Sequence, residues 1–182
     1  MLHKLPVTLA DDTVVAVGPA TGQLSIAGAL NSSGVGLTKA GAGSLRVNHV
    51  RAGELAINDG VVIIEPDGSD GGTSVVGALS VNGPGRLDLS DNDVIVRATA
   101  ARKGDVHDAI EDDIVSAQNG VDVNFVTNWN GAGIQSSSAR AMNVAANFDL
   151  TALGVMRNSD IDIATGFPGS AYTTFNGIPV TV

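Results

Sequence analysis

Apolar residues alternate with polar ones in short segments that repeat through the first half of the chain. The segment GSLRVN at residues 43–48 is followed closely by GELAIN at residues 53–58. Each has a glycine, then two branched apolar residues two positions apart, then an asparagine. Segments with all or most of this pattern also lie at residues 22–26, 77–82 and 85–90. Alternation with a period of two is typical of a strand with one buried face, so each segment predicts a short strand.

The spacing of these segments predicts strands that stack in coils. Leu24 precedes Leu45 by 21 residues and Leu55 precedes Leu79 by 24, which is about one coil of a parallel β-solenoid. Glycine before each strand allows a tight corner, and stacked coils would align the asparagines at successive corners. The residues between the apolar pairs are expected to face outward: Ser25, Arg46, Ala56, Ser80 and Asp88.

Four further segments predict strands outside the repeated pattern. Three of them are Thr13–Val17, Val61–Glu65 and Asp93–Val96, each rich in valine or isoleucine. The segment at residues 71–76 leads into the fourth strand.

Beyond residue 104 the period changes. Between Asp105 and Gln118 the apolar residues fall at helical spacing, which predicts an amphipathic helix with Asp105 as its N-cap and Asn119-Gly120 as its end. The rest predicts a strand at residues 121–126, a loop at 129–133 and a short helix within 139–157. Late strands are expected at residues 160–164 and 178–182.

These elements predict a mainly all-β fold in one structural unit. Residues 1–104 would form a β-solenoid, and residues 105–182 a helix-containing cap that closes it. All six aromatic residues fall after residue 124, as expected if an aliphatic stack is sealed at one end by bulky side chains.

Charge and composition exclude several kinds of partner and site. The net charge is −9, and residues 105–182 hold nine acidic residues against two basic ones, so binding to nucleic acid or to an anionic membrane surface is disfavoured. The absence of cysteine excludes disulfides and thiol chemistry. No apolar run is long enough to span a bilayer, and the first residues lack the core of a signal peptide, so an export signal is expected outside this chain.

The repeated segments resemble a known family. LTKAGAGSL at residues 37–45, followed by AGELAIN at 52–58, is similar to the autotransporter-associated β-strand repeat. The second half resembles the C-terminal module that follows such repeats in large secreted proteins of planctomycete type, through residues 85–96, the predicted helix, residues 129–137 and residues 151–154. The resemblance covers roughly residues 34–182, without the usual insert between Val47 and Ala52 and without a dockerin-like tail. It implies a right-handed parallel β-helix in an exported or surface-attached protein that is not an enzyme.

Several residues are candidates for binding, and each has a simpler interpretation. His107 and Glu111 are four apart on the predicted helix and could share a metal ion, but a solvated acidic face explains them. The runs Asp88/Asp91/Asp93 and Asp67/Asp70 suggest calcium, although turn acids capping backbone amides explain both. Trp129 and Tyr172 could stack on a sugar, or be buried in the cap. The expected sites are therefore none: no catalytic residue, no cofactor and no metal.

The function expected from the sequence is structural. A non-catalytic extracellular or cell-surface solenoid segment would associate with itself or with upstream coils, as a fibre or an adhesin. The alternative is a carbohydrate-binding module that binds surface polysaccharide. A β-helix lyase or hydrolase ranks below both, because the outward residues include too few acids and bases for catalysis.

Overall fold

A computed structural model describes residues 5–32, 34–158 and 174–180. In these residues the chain is mainly β, with three parallel sheets, one short antiparallel pair and two helices. The predicted all-β class with parallel strands is confirmed.

The strands of the three parallel sheets are short, at three to five residues each. The first sheet contains β1 (Val7–Leu9), β4 (Leu30–Ser32), β7 (Val50–Ala52), β10 (Ser74–Val76) and β13 (Val94–Val96). The second contains β2 (Thr13–Ala16), β5 (Gly36–Ala40), β8 (Glu54–Ile57) and β11 (Leu79–Val81). The third contains β3 (Gln23–Ile26), β6 (Ser44–Val47), β9 (Val61–Ile64), β12 (Arg86–Asp88) and β14 (Gly133–Gln135).

Successive strands visit the three sheets in a fixed order. From β1 to β12 the chain enters the first, second and third sheet in turn and then returns to the first. Each strand from β1 to β10 therefore pairs in parallel with the strand three places further along the chain. The sequence repeat predicts two of these pairings correctly, because Leu24 pairs with Leu45 and Leu55 with Leu79.

The core is aliphatic and lies between the three sheets. Alternate residues of each strand point into it, as in β6, where Leu45 and Val47 are both fully buried. Residues of this kind from all three sheets form one continuous cluster. Burial at about 25 cal/mol per Å² of apolar surface is the main favourable contribution to the stability of such a stack.

The five repeated segments do not form a single column. Those at β3, β6 and β12 belong to the third sheet, whereas those at β8 and β11 belong to the second. The predicted asparagine alignment therefore occurs only where two copies share a sheet: the Asn82 side-chain amide donates to the Asn58 side-chain oxygen at 2.9 Å. A glycine–strand–asparagine segment therefore specifies a strand without specifying its sheet, since copies occur in both the second and the third.

The five residues that were expected to face outward also belong to two different sheets. Ser25, Arg46 and Asp88 lie on the third sheet, and Ala56 and Ser80 on the second. The prediction that Asp88 faces solvent is wrong, because Asp88 is buried. The chain around Ser137 covers it, and its carboxylate accepts from the Ser137 N–H.

Helix α1 (Lys103–Gln118) begins two residues before the predicted start. The residue that precedes it is Arg102, which makes no side-chain cap, so the prediction of Asp105 as N-cap is wrong. The physical reason is a preceding turn in which the Thr99 carbonyl already accepts from the N–H groups of Arg102 and Lys103. The predicted end is confirmed, since Asn119 has a left-handed conformation with φ of 45°.

The predicted strand at residues 121–126 does not form. Only a single antiparallel bridge joins Val121 to Thr127. The Asp122 carboxylate accepts from the N–H groups of Asn124 and Val126, which closes a turn before the alternating pattern can pair with another strand.

The remaining C-terminal elements agree in part with the sequence. The predicted short helix is α2 (Ser137–Ala146), with the Ser136 hydroxyl accepting from the Ala139 N–H as an N-cap. Two short strands, β15 (Thr174–Phe175) and β16 (Ile178–Pro179), pair antiparallel, and β16 occupies part of the strand expected at 178–182. The strand predicted at 160–164 lies outside the described residues.

Candidate functional site

The interior column of the third sheet distinguishes the two ends of the stack. Leu24, Leu45, Val62, Leu87 and Ile134 pair in register from β3 to β14. Their exposed fractions are 43%, 0%, 0%, 1% and 1% in that order. Leu24 occupies a core position but is open to solvent, because no described strand lies beyond β3.

The first coil leaves three strand edges without partners in the part of the chain that the structure describes. β1, β2 and β3 pair only with β4, β5 and β6, so one edge of each is free. Val14 on β2 is also exposed, because the alternating burial of this strand directs it away from the core. Unpaired N–H and C=O groups beside apolar side chains are a template for further strands.

At the other end α1 covers β14 of the third sheet, while β11 and β13 pair only with β8 and β10 among the described residues. Between β13 in the first sheet and β14 in the third, the described chain has no strand of the second sheet and instead forms α1. It packs directly against β14. Two glycines allow this close approach, since a Cβ on Gly131 would lie 2.2 Å from the Ser116 carbonyl oxygen, and a Cβ on Gly133 2.1 Å from that of Asp113.

No helix of the described residues has the length and apolar character needed to cross a bilayer.

Of the five acidic residues considered for calcium, Asp88, Asp91 and Asp93 accept hydrogen bonds from protein groups. Asp88 Oδ1 accepts from the N–H groups of Ser90 and Ser137, each at 2.9 Å. Asp91 Oδ1 accepts from the Asp67 N–H at 3.0 Å, and Asp93 Oδ2 accepts from the Asn176 amide at 2.9 Å. These contacts match the simpler interpretation, in which turn acids satisfy donors at the corners.

Two charged outward residues of the third sheet, Arg46 and Asp88, are bound to protein groups. The Arg46 guanidinium donates to both oxygens of Glu65, at 2.6 and 2.8 Å.

The described aromatic residues differ in exposure from what the sequence suggested. Trp129 is only 3% exposed, so it cannot stack on a carbohydrate as the sequence suggested, and it seals the core beneath α1. Tyr172 lies outside the described residues. Phe125 is 82% exposed and Phe148 is exposed as well, contrary to the expectation that the late aromatics close the cap. Phe125 projects from the turn built on Asp122, with φ of 64°.

Two buried ionisable residues were missed by the sequence analysis. Lys39 follows Leu37 at a core-facing position of β5, and its Nζ donates to the carbonyls of Ala40, Gly41 and Asp59 at 2.9, 2.5 and 3.1 Å. Burial lowers the pKa of Lys39, and the charge of Asp59 partly opposes this effect. The alternation of β5, which places residue 39 on the same face as Leu37, was the available signal.

The second missed residue is His49, at the corner before β7. It is buried, and its Nε2 has no partner among the described residues. Burial lowers the pKa of His49, and the positive charge of Arg51 lowers it further, while the backbone at Gly71 acts in the opposite direction.

A cavity of about 320 Å³ lies between α1, β13 and residues 153–157. Its wall is largely aliphatic and includes Val94, Ile110 and Leu153, with His107 beside them.

The candidate pair His107 and Glu111 does meet on α1, and the structure adds a third member. His107 Nδ1 lies 3.5 Å from Glu111 Oε2 and 3.4 Å from Asp108 Oδ1. The ligand atoms of these three residues all lie within 4.8 Å of one another. Asp108 was not considered from the sequence, because neighbouring residues of a helix do not usually face each other.

Comparison of the chain with protein-family models, with curated proteins and with solved structures finds no match. The likeness to the autotransporter-associated repeat therefore stays a prediction based on the residues that carry it.

Proposed function

We propose that the chain is a structural, non-catalytic segment of a right-handed parallel β-solenoid. In this proposal each turn of the chain through the three sheets is one coil. The handedness follows the strong preference of parallel β connections, and the role follows from the resemblance of the repeated segments. An extracellular or cell-surface location is part of the same proposal.

The observation that carries the proposal is the exposure of Leu24. A core position open at one end and covered at the other fits a stack that binds further strands at the β3 end only. The partner there is either upstream coils of a longer protein or a second copy of the chain.

Self-association through this end would give a closed dimer. Two copies that meet by the same surface are related by a two-fold axis, and such a contact cannot be extended into a filament. Fibres, which the sequence analysis included among the expected assemblies, would need the covered end to open.

Light scattering tests this association as a function of concentration. The wild-type chain is expected to pass from monomer to dimer, and Leu24→Glu is expected to remain monomeric because a charge at the contact would be desolvated. Val115→Glu, on the exposed surface of α1, is the matched control and should dimerise like the wild type. A wild-type chain that is monomeric at millimolar concentration would show that the end does not bind a second copy.

The carbohydrate-binding alternative is not favoured by any contact described above. One of its two candidate rings, Trp129, is buried in the core. Catalysis is not proposed, because the Arg46 side chain is bound to Glu65 and the Asp88 carboxylate to backbone amides.

A further inference from the structure

The outer face of α1 carries three side chains that converge on one point. His107, Asp108 and Glu111 offer one imidazole nitrogen and two carboxylate oxygens, all close together. His107 is held in place, since its side chain is only 19% exposed and forms part of the cavity wall. Both carboxylates are more exposed, so the point of convergence is open to solvent.

The distances within this cluster suit a shared metal ion better than direct hydrogen bonds. The separations of 3.4 and 3.5 Å from His107 Nδ1 exceed the usual N–H···O range of about 2.7–3.2 Å. Four ligands bound at about 2.1 Å around a tetrahedral ion lie about 3.4 Å apart. The two observed separations therefore match two edges of such a site.

The surrounding charge also favours a cation. The helix holds five acidic residues against one lysine, the other three acids being Asp105, Asp112 and Asp113. These carboxylates repel one another along one short helix. A divalent cation would relieve this repulsion.

We infer that His107, Asp108 and Glu111 form a binding site for a divalent transition-metal ion of the zinc type. One imidazole and two carboxylates are ligands that zinc accepts, and three protein ligands leave the fourth position to water. Calcium is disfavoured, because it prefers oxygen ligands alone. This site is independent of the association proposed for the β3 end.

Zinc titration of tag-free protein by calorimetry at pH 7.5 tests the inference. We expect one ion per chain with a Kd below about 0.1 mM. Cobalt(II) should give the intense visible absorption of a tetrahedral complex. His107→Gln and Glu111→Gln should each weaken binding at least about tenfold, because each removes one of three ligands.

Asp112→Asn is the matched control. It removes the same negative charge as Glu111→Gln from the neighbouring position of the helix, and should change the affinity less than about threefold. Far-UV circular dichroism checks that each variant retains the fold. Absence of saturable binding below 0.1 mM, or equal losses in Asp112→Asn and Glu111→Gln, would overturn the assignment.

Discussion

At the scale of single residues, the interior between the sheets contains polar side chains at positions where the alternating pattern predicts apolar ones. Lys39 occupies a core column between Val15 and Ile57 of the neighbouring strands. Its ammonium group satisfies three backbone carbonyls, including that of Gly41 in the corner after β5. A buried ammonium group is tolerated when all its donors are used, so Lys39 stabilises the corner although burial disfavours its charge.

His49 makes the stability of the fold dependent on pH. Its pKa in the folded chain lies below the ordinary value of 6.5, so the unfolded chain binds more protons between these two values. The stability that is fully present above pH 6.5 is therefore lost as the pH falls through this window. The loss is about 1.4 kcal/mol for each unit by which folding lowers the pKa.

Urea unfolding at pH 7 and pH 5 measures this effect. The wild-type chain should lose more free energy of unfolding between these values than His49→Gln, whose amide stays neutral. The comparison between the two proteins is needed because carboxylates also weaken the fold in acid, Asp149 among them, whose pKa is lowered by hydrogen bonds from Thr127. Equal losses in both proteins would contradict the prediction.

At the scale of elements, the sequence predicts the positions of strands well, but it predicts poorly which sheet each strand joins and where turns replace strands. The alternating pattern is local, so β6, β8 and β9 are found where the sequence places them. The sheet to which each strand belongs depends on the lengths of the corners, which vary from coil to coil, and the repeated segments do not encode it. A turn replaces the strand predicted at residues 121–126, because the Asp122 carboxylate accepts hydrogen bonds from two backbone N–H groups.

The open end at Leu24 and the cluster around His107 are likewise predicted only in part from the sequence. The sequence predicts association with upstream coils or a second copy, but the exposure of Leu24 depends on its register with Leu45. The proximity of Asp108 to His107 depends on side-chain rotamers, which no spacing rule predicts.

The contact between α1 and β14 gives a prediction at this scale. Gly133→Ala would place a Cβ against the Asp113 carbonyl at a backbone φ of 117°, so we expect it to lower the free energy of unfolding by at least about 2 kcal/mol. Gly104→Ala lies within α1 with no atom near its Cβ, and should raise stability by up to about 1 kcal/mol.

Urea unfolding of both variants checks this pair, because each changes one hydrogen into a methyl group. A loss below about 0.5 kcal/mol in Gly133→Ala would mean that the helix does not hold the end of the stack as tightly as the structure indicates.

At the scale of the whole molecule, the two ends of the stack differ in kind. The first coil ends in three open edges, whereas the last coil exchanges one of its strands for α1. The acidic cap and the nearly neutral stack follow the same division, since most of the net charge of −9 lies beyond residue 104.

A chain that ends at Arg97 tests whether α1 and β14 limit assembly. It lacks both elements and exposes Leu87 of β12, so contacts at both ends become available, and we expect assemblies that grow with concentration. Analytical ultracentrifugation measures their size distribution.

The same shortened chain with Leu24→Glu has one end blocked again and should return to assemblies of limited size. A shortened chain whose size distribution equals that of the full chain would contradict a capping role for α1 and β14.

The replacement of a strand by α1 has a consequence for how such a molecule can change length. In the proposed solenoid each coil contacts only its neighbours, and neighbouring coils are about 4.8 Å apart, the distance between paired strands. Duplication of a coil in the middle would therefore lengthen the molecule by that step without altering either terminus. Gene duplication could adjust its reach while the helix that ends it remained unchanged.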